Sequence, residues 1–434
     1  MAEIRPLRAW RYNAALPEPI EELTSPLFDV VSEKQRARLY GHPHNSIHLS
    51  VPQANSPAES ARNTFQQWKK EGIIRQDAQP GIYVYYQYFA LSGNSHQYIR
   101  KGFICNIRAY DWDHDQVILR HEATIPQAVN GRKQMVETAQ INISPTHGLY
   151  SDANFALEPL MDEAVQTPLY ESEDYQGVKE VLAVIEDPQV IRRFVEHLKD
   201  RQVILADGHH RYEGSMEYRK ERMAANPKHT GKEGYNFHMM YLTNMESGDL
   251  RILPTHRLMR DLPGFDQDTL MEKLAEDFHI KVVANAYDID RVILGKKYAF
   301  GLLFGEDTFK IRLKEERYDQ VPWKFPPEIS QLDLTVMHFW VIEKALGILG
   351  PEQRSSTHIG FERNCGAALE EIRSGKAQMA IIMKDVSMQQ VKEVCESGYT
   401  MPQKSTYFYP KVTCGHLFSS ITDEDTVLSP GISI

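Results

Sequence analysis

The chain has 434 residues, of which 42% are hydrophobic and 25% charged, and its 49 basic against 59 acidic residues give a formal charge of −10. These values exclude a disordered or fibrous chain and leave room for two or three cores at about 100–200 residues each. The acidic balance argues against a protein that lives on the nucleic-acid backbone, and no apolar run approaches a membrane span.

Four scattered cysteines, Cys105, Cys365, Cys395 and Cys414, show neither disulfide nor zinc spacing. The default expectation is a soluble cytoplasmic protein with reduced, partly buried thiols.

In chain order, residues 1–55 are rich in Pro and His and predict a wrapping segment with one short helix. Ser32 and Gln35 form its capping box and Gly41 closes it. A stronger helix is predicted over 57–71. Ser56 is its N-cap, Pro57 its first position, Glu59 completes a box and Gly72 ends it, with Ala58, Ala61, Phe65 and Trp68 on the apolar face.

Runs at 82–91 and 98–109 predict a hairpin around Ser92-Gly93-Asn94. A third strand at 117–120 follows an acidic turn. Helical patterns near 130–140 and 154–165 flank a loop at 144–152. From 178 the signals alternate: strand 178–185, helix 188–199 opened by Asp187-Pro188, strand 202–206, and a helix to about 225. That βαβα run predicts an α/β core. A strand pair is expected at 235–243 and 250–257. The last third is mixed, with a Pro-rich link at 322–327, an apolar helix over 333–346 and a strand over 378–383. No internal repeat is visible.

The most informative stretch is Asp207-Gly208-His209-His210-Arg211. It ends a short apolar strand and opens a helix. Asp and Gly suit the turn, while two histidines and an arginine sit where the helix dipole is already positive. That placement is unfavourable without an anion, and phosphate is the simplest anion for amides, imidazoles and a guanidinium. The bland reading is an exposed turn.

Other constellations are weaker. Asp111, Asp113, Asp115 and Glu122 mimic a calcium loop, but Gln116 stands where glycine is required, so an acidic hairpin turn is preferred. Glu122 in His121-Glu122-Ala123-Thr124 is a candidate carboxylate base or magnesium ligand, or simply a solvated strand end. Gly398 to Ser405 nearly spells a Walker loop, with Gln403 replacing its second glycine and an extended stretch after Lys404. Lys404, Ser405 and Thr406 are candidates for a second phosphate lip. His42, His44 and His48 match no closed zinc site and read as surface histidines.

Ala206 to Arg211, with the late stretch Met401 to Lys411, Ile4-Arg5-Pro6 and His121-Glu122-x-Thr124, strongly resembles the domain-of-unknown-function 1015 family. Residues 178–225 more distantly resemble the nucleotide site shared by ParB-type CTPases, sulfiredoxins and archaeal free-serine kinases. Sulfiredoxins carry a cysteine where this chain has His209. ParB proteins pair a glutamate and an arginine where it has His209-His210. The kinase pattern Asp-Gly-His-x-Arg matches Asp207, Gly208, His209 and Arg211.

The resemblance implies a mixed α/β (α+β) fold. A ParB/sulfiredoxin-like nucleotide-binding core at 166–260 would be elaborated by a β-rich, wrapping region at 1–165 and a mixed region at 261–434. It further implies a nucleotide-dependent phosphotransferase acting on a small hydroxyl-bearing metabolite. Gly208, His209, His210 and Arg211 would hold phosphates, joined by Lys404, Ser405 and Thr406. Glu122, Asp207 and His210 would be catalytic, with ATP or ADP as cofactor and Mg2+ on Asp207. The alternative is a non-catalytic, ParB-like regulatory protein that binds nucleotide.

Overall fold

Residues 82–90 read Ile-Tyr-Val-Tyr-Tyr-Gln-Tyr-Phe-Ala, a run that is apolar on both faces. Such a run suits the interior of a covered sheet. In the computed structural model, which describes residues 2–28, 30–91, 95–402 and 404–422, it lies there. The chain divides into two compact units. Among the described residues the first holds 2–120, 124–250 and 410–422, and the second holds 121–123 and 251–409.

The first unit is built on a nine-stranded mixed sheet. Its strands are β1 (Ile4–Arg5), β2 (Ile82–Ala90), β3 (Gln97–Arg108), β4 (Ile118–Arg120), β5 (Thr146–Tyr150), β6 (Tyr170–Glu173), β7 (Lys179–Ile185), β8 (Val203–Asp207) and β9 (Phe237–Asn244). They run in the order β4-β8-β5-β9-β3-β2-β7-β6, with β1 on β3. Only β4–β8 and β5–β9 pair in parallel among these strands.

Helices α1 (Glu33–Tyr40), α2 (Pro57–Glu71), α3 (Pro126–Ala139), α4 (Glu158–Ala164), α5 (Pro188–Leu198) and α6 (His209–Ala225) belong to this unit. Helix α5 shows why such segments form. Asp187 caps it by accepting from the Gln189 and Val190 amides, Pro188 takes the first turn, and Ile191, Phe194 and Leu198 share the buried face. Truncating Phe194 there would cost about 3–5 kcal/mol.

One sheet face packs Val84, Phe103 and Leu205 against Phe194 of α5 and Tyr212 and Met216 of α6. The other carries Tyr83, Tyr85 and Tyr241 and is covered by Leu7, Ala9, Val412 and Leu417.

Several expectations hold. The Ser32–Gln35 capping box is formed, and α2 runs from Pro57 to Glu71. Strands β2 and β3 pair antiparallel, while the Ser92–Asn94 turn lies outside the described residues. Others do not hold. Ser56 makes no side-chain cap. Residues 146–150, expected as loop, form the fully buried strand β5 between β8 and β9. Strands β7 and β8 of the βαβα run are not neighbours, because β7 pairs antiparallel with β2 and β6. The expected pair at 235–257 is absent too: β9 joins the first sheet, and Arg251–Leu253 pairs with Tyr407–Tyr409 in the second unit.

The second unit holds a six-stranded antiparallel sheet of β10 (His256–Met259), β11 (Phe278–Val282), β12 (Ala299–Phe304), β13 (Asp307–Leu313), β14 (Ile359–Glu362) and β15 (Met379–Ile382). Their order is β11-β13-β12-β15-β10-β14. Ile289, Ile293, Ala368, Leu369 and Ile372 cover it. The apolar helix expected over 333–346 is α-helical for Asp333–Met337 and widens to a π-helix over His338–Ala345. Among the described residues no helix is long and apolar enough to cross a membrane.

Strand β5 needs glycine at its centre. A Cβ on Gly148 would stand 2.5 Å from Met240 Sδ and 2.7 Å from Val203 Cγ1. Gly148→Ala is therefore expected to destabilise the protein by about 1–3 kcal/mol in urea unfolding, as overpacking does. An unchanged midpoint would show that the neighbouring strands can part.

Candidate functional site

Strand β8 breaks register after Leu205, so that Asp207 pairs with His147 of β5. Such a break re-aims a side chain at a strand end. Gly208 follows at φ +91° and caps the seventeen-residue helix α6. A Cβ there would lie 2.6 Å from Thr146 Cγ2 and 2.8 Å from Arg211 Nη2, so both the dihedral and the close approach require glycine. As cap residue Gly208 supplies no side-chain acceptor to the first-turn amides.

An aspartate beside a helix start commonly accepts from its free amides. The Asp207 carboxylate instead lies between two cations. Arg211 Nη2 donates to Oδ2 at 2.9 Å, and Lys411 Nζ pairs with Oδ1. All three side chains are 10–15% exposed. Arg211 is further tied by Nη1 to Ser144 Oγ and to the Pro145 carbonyl, each at 2.8 Å. Part of the negative charge that the cationic helix start demanded is thus supplied internally, by the strand that precedes it.

The two histidines differ. His209 is 5% exposed. His210 Nε2 accepts from the Ile125 amide at 3.0 Å, which requires that nitrogen to be unprotonated and leaves Nδ1 as the donor. In that tautomer His210 has a ring N–H to offer an anion. Asp207, the residue expected to carry magnesium, has one cation on each carboxylate oxygen.

Around this point lie buried groups that sequence reasoning missed. His147 Nε2 meets Thr243 Oγ1 at 2.8 Å and its ring stacks on Tyr241. Burial pushes its pKa well below the usual value, with the Arg100 charge adding and Asp207 opposing. His238 bonds Ser215 Oγ through Nδ1 at 2.8 Å and Thr146 Oγ1 through Nε2 at 3.1 Å. Burial, aided by the Arg211 charge, lowers its pKa to about 3.

Farther along the same face, Glu180 accepts from Tyr85, from Gln87 Nε2 at 2.9 Å, Thr413 Oγ1 at 2.7 Å and His416 Nε2 at 2.9 Å. Burial opposes its charge, yet His416, Tyr85 and Thr413 together hold its pKa below the usual carboxylate range. Lys411 was visible only as part of a family motif. Nothing local marks Arg100, Glu180 or His238.

The remaining candidates belong to the second unit. Glu122 forms a parallel bridge with Met401, whose amide donates to the His121 carbonyl at 2.8 Å. His121 Nε2 meets Thr406 Oγ1 at 2.8 Å, and Ser405 Oγ donates to the Pro402 carbonyl. Arg257, 1% exposed, has its pKa pushed down by burial to about 9, with the Glu122 charge opposing. Lys404 sits at φ +58° and leads into the strand Tyr407–Tyr409, so it does not open a helix as a Walker lysine must. Gln403 lies outside the described residues.

The acidic turn at 111–115 closes on itself, Asp111 Oδ1 accepting from the Asp113 amide and Asp115 Oδ2 from the Asp111 amide. It is not a hairpin, because β4 beyond it pairs with β8. Among the described residues no cluster of three or more His, Cys, Asp or Glu could hold a metal. His44 pairs with Glu18 and His48 with the His42 carbonyl.

Two outcomes follow from the burial. Lys411→Met leaves Asp207 one cation short and is expected to cost about 3–5 kcal/mol in chemical unfolding; a loss below 1 kcal/mol would mean Arg211 alone suffices. His238 titrates near 6.5 when unfolded and about 3 when folded. Its contribution to stability is therefore complete above pH 6.5 and lost as pH falls towards 3. Between pH 6.5 and 5 that loss is about 2 kcal/mol, and His238→Gln should flatten the urea-measured pH dependence by that amount.

Comparison with solved structures finds low similarity. A free serine kinase variant in complex with AMP aligns at 12% identity and TM-score 0.39, covering 75% of this chain and 94% of that one. A conserved hypothetical protein from Pyrococcus furiosus aligns at 12% identity and TM-score 0.36, covering 75% and 97%. SbnI with a C-terminal truncation, from Staphylococcus aureus, aligns at 13% and 0.35, covering 72% and 85%. No curated protein matches the chain. The family model described as protein of unknown function, DUF1015, matches residues 4–335, short of the Met401–Lys411 stretch, and the chain belongs to that family.

Proposed function

We propose that the first unit binds the phosphates of ATP or ADP at the start of α6 and that the protein transfers a phosphoryl group to a small hydroxyl-bearing metabolite. One observation carries this reading. A seventeen-residue helix begins at the end of an interior strand with a glycine at φ +91°, packed against Thr146 and lacking any side chain of its own. A helix start of this kind concentrates amide donors and the positive end of the dipole on an approaching anion.

In this reading Gly208 and the following amides, with His209 and His210, contact the phosphates. Arg211 and Lys411 fix Asp207 and set the local field. Magnesium arrives on the nucleotide and is not held by Asp207. Phosphoryl transfer needs mainly positioning and charge neutralisation, which a rigid, pre-paired site supplies. Glu122 has a separate task in balancing the buried Arg257 within the second unit.

The test is to incubate the protein with ATP or ADP, magnesium and a panel of hydroxy and amino acids including serine, reading products by mass spectrometry. A phosphorylated product is expected, formed about 10²-fold more slowly by His210→Ala. No product from any acceptor, or a rate unchanged in His210→Ala, would dispose of the proposal. A nucleotide-induced rise in melting temperature without product would point instead to a binding protein that does not turn over.

A further inference from the structure

A cleft of about 470 Å³ lies in the first unit between the short helical turn Ile20–Leu23, helix α1 and the end of strand β6. That volume falls in the range of small-molecule sites, roughly 300–1,000 Å³. Thr413 also lines the cleft and donates Oγ1 to Glu180 at 2.7 Å, so the space reaches the buried polar face.

Its walls are acidic. Glu21, Glu22, Glu173 and Asp174 line it, against Arg38 and His42. His42 Nδ1 stands 3.8 Å from Glu22 Oε2, whereas Glu21, Glu173 and Asp174 form no ion pair with any described residue. Burial pushes the Asp174 carboxyl up to about 6 against two backbone amides, and the charges of Glu180 and Glu173 add to the push. Solvated carboxylates alone would make only an acidic surface. A separate group marks the interior. Thr24 is 8% exposed, its hydroxyl makes no hydrogen bond with any described residue, and that oxygen is not sealed from solvent. It opens on the cleft that its residue lines. A hydroxyl so enclosed and without a protein partner is completed by a guest.

The arrangement selects the guest. No three His, Cys, Asp or Glu among the described residues could hold a metal, so these carboxylates do not converge on one ion. Negative charge spread along a cleft suits a molecule whose positive charges are spread as well. Pro19, Pro26 and Leu39 give methylene groups an apolar wall, and Tyr175, 53% exposed, adds an aromatic ring that an ammonium can approach.

We infer that this cleft binds a small aliphatic polyamine, its ammonium groups paired with Glu21, Glu173 and Asp174 and one N–H donated to Thr24 Oγ1. The site shares no residue with the nucleotide reading and does not depend on it.

The experiment titrates the full chain with spermidine, by calorimetry and thermal unfolding at neutral pH and constant ionic strength, with magnesium chloride as the control cation. Saturable binding with a rise in melting temperature is expected. The double variant Glu21→Gln/Glu173→Gln, which changes two exposed side chains, should weaken it about tenfold, and Thr24→Val about fivefold. Glu171→Gln, on the same strand but outside the cleft and paired with Lys179 at 3.0 Å, should leave it unchanged.

No saturable spermidine binding to the native chain would overturn the inference, as would unchanged affinity in both Thr24→Val and the double variant. Equal weakening by Glu171→Gln, or equally strong competition by magnesium, would overturn it too, since the attraction would then be the diffuse charge of an acidic chain.

Discussion

A carboxylate held between two cations, almost out of water, fixes the end of strand β8. Asp207 cannot leave Lys411 and Arg211 without stranding charges in a poorly solvated interior, where an uncompensated ion costs several kcal/mol. Its two partners therefore carry the constraint outward. Through Arg211 it reaches the carbonyl of Pro145 and the entry to β5, and through Lys411 it reaches the segment that covers the sheet. The glycine at 208, the break in register after Leu205 and the start of α6 are all placed by this one cluster.

The sheet face around it is unusual in how much polar chemistry it buries. Glu180 keeps its charge because four donors surround it. His147 and His238 keep their neutrality because burial and nearby guanidinium groups oppose protonation. Arg100, 2% exposed, donates to Gln87 and lies 5.5 Å from the Tyr241 ring centroid. Charge on this face is thus confined to a few positions, each with a named counterpart or a π-face. A field arranged in advance does not have to reorganise when an anion arrives.

What the sequence disclosed was mostly local. The box at Ser32 and Gln35, the Asp187-Pro188 start and the helix after Gly208 are signals contained within a turn or two, and they were readable. Strand β5 was not, since Thr-His-Gly-Leu-Tyr lacks the alternation of a half-exposed strand and gains its identity from β8 and β9. Pairing was the least legible property. Strands adjacent in sequence at 237–244 and 251–253 part into different sheets, because their partners lie far along the chain. The site shows the same division. Asp207, Gly208 and Arg211 announce a turn and a charge conflict, but the lysine that joins them as a second cation on Asp207 is 204 residues away.

The position of Lys411, Thr413 and His416 late in the chain bears on how the protein is made. The first unit is interrupted after Leu250 and resumes only at Pro410. Its sheet can pair early, yet Asp207 must wait for Lys411, and Glu180 for Thr413 and His416, while roughly 160 intervening residues are synthesised, on the order of ten to thirty seconds at the ribosome. For that interval Asp207 has Arg211 and Glu180 has Tyr85 and Gln87, but each lacks the rest of the set that holds it out of water. The second unit, contiguous apart from 121–123, can fold ahead of them. Completion of the buried polar face is then the closing step of biosynthesis, and a chain stopped before Pro410 would hold its strands without the charges that lock them.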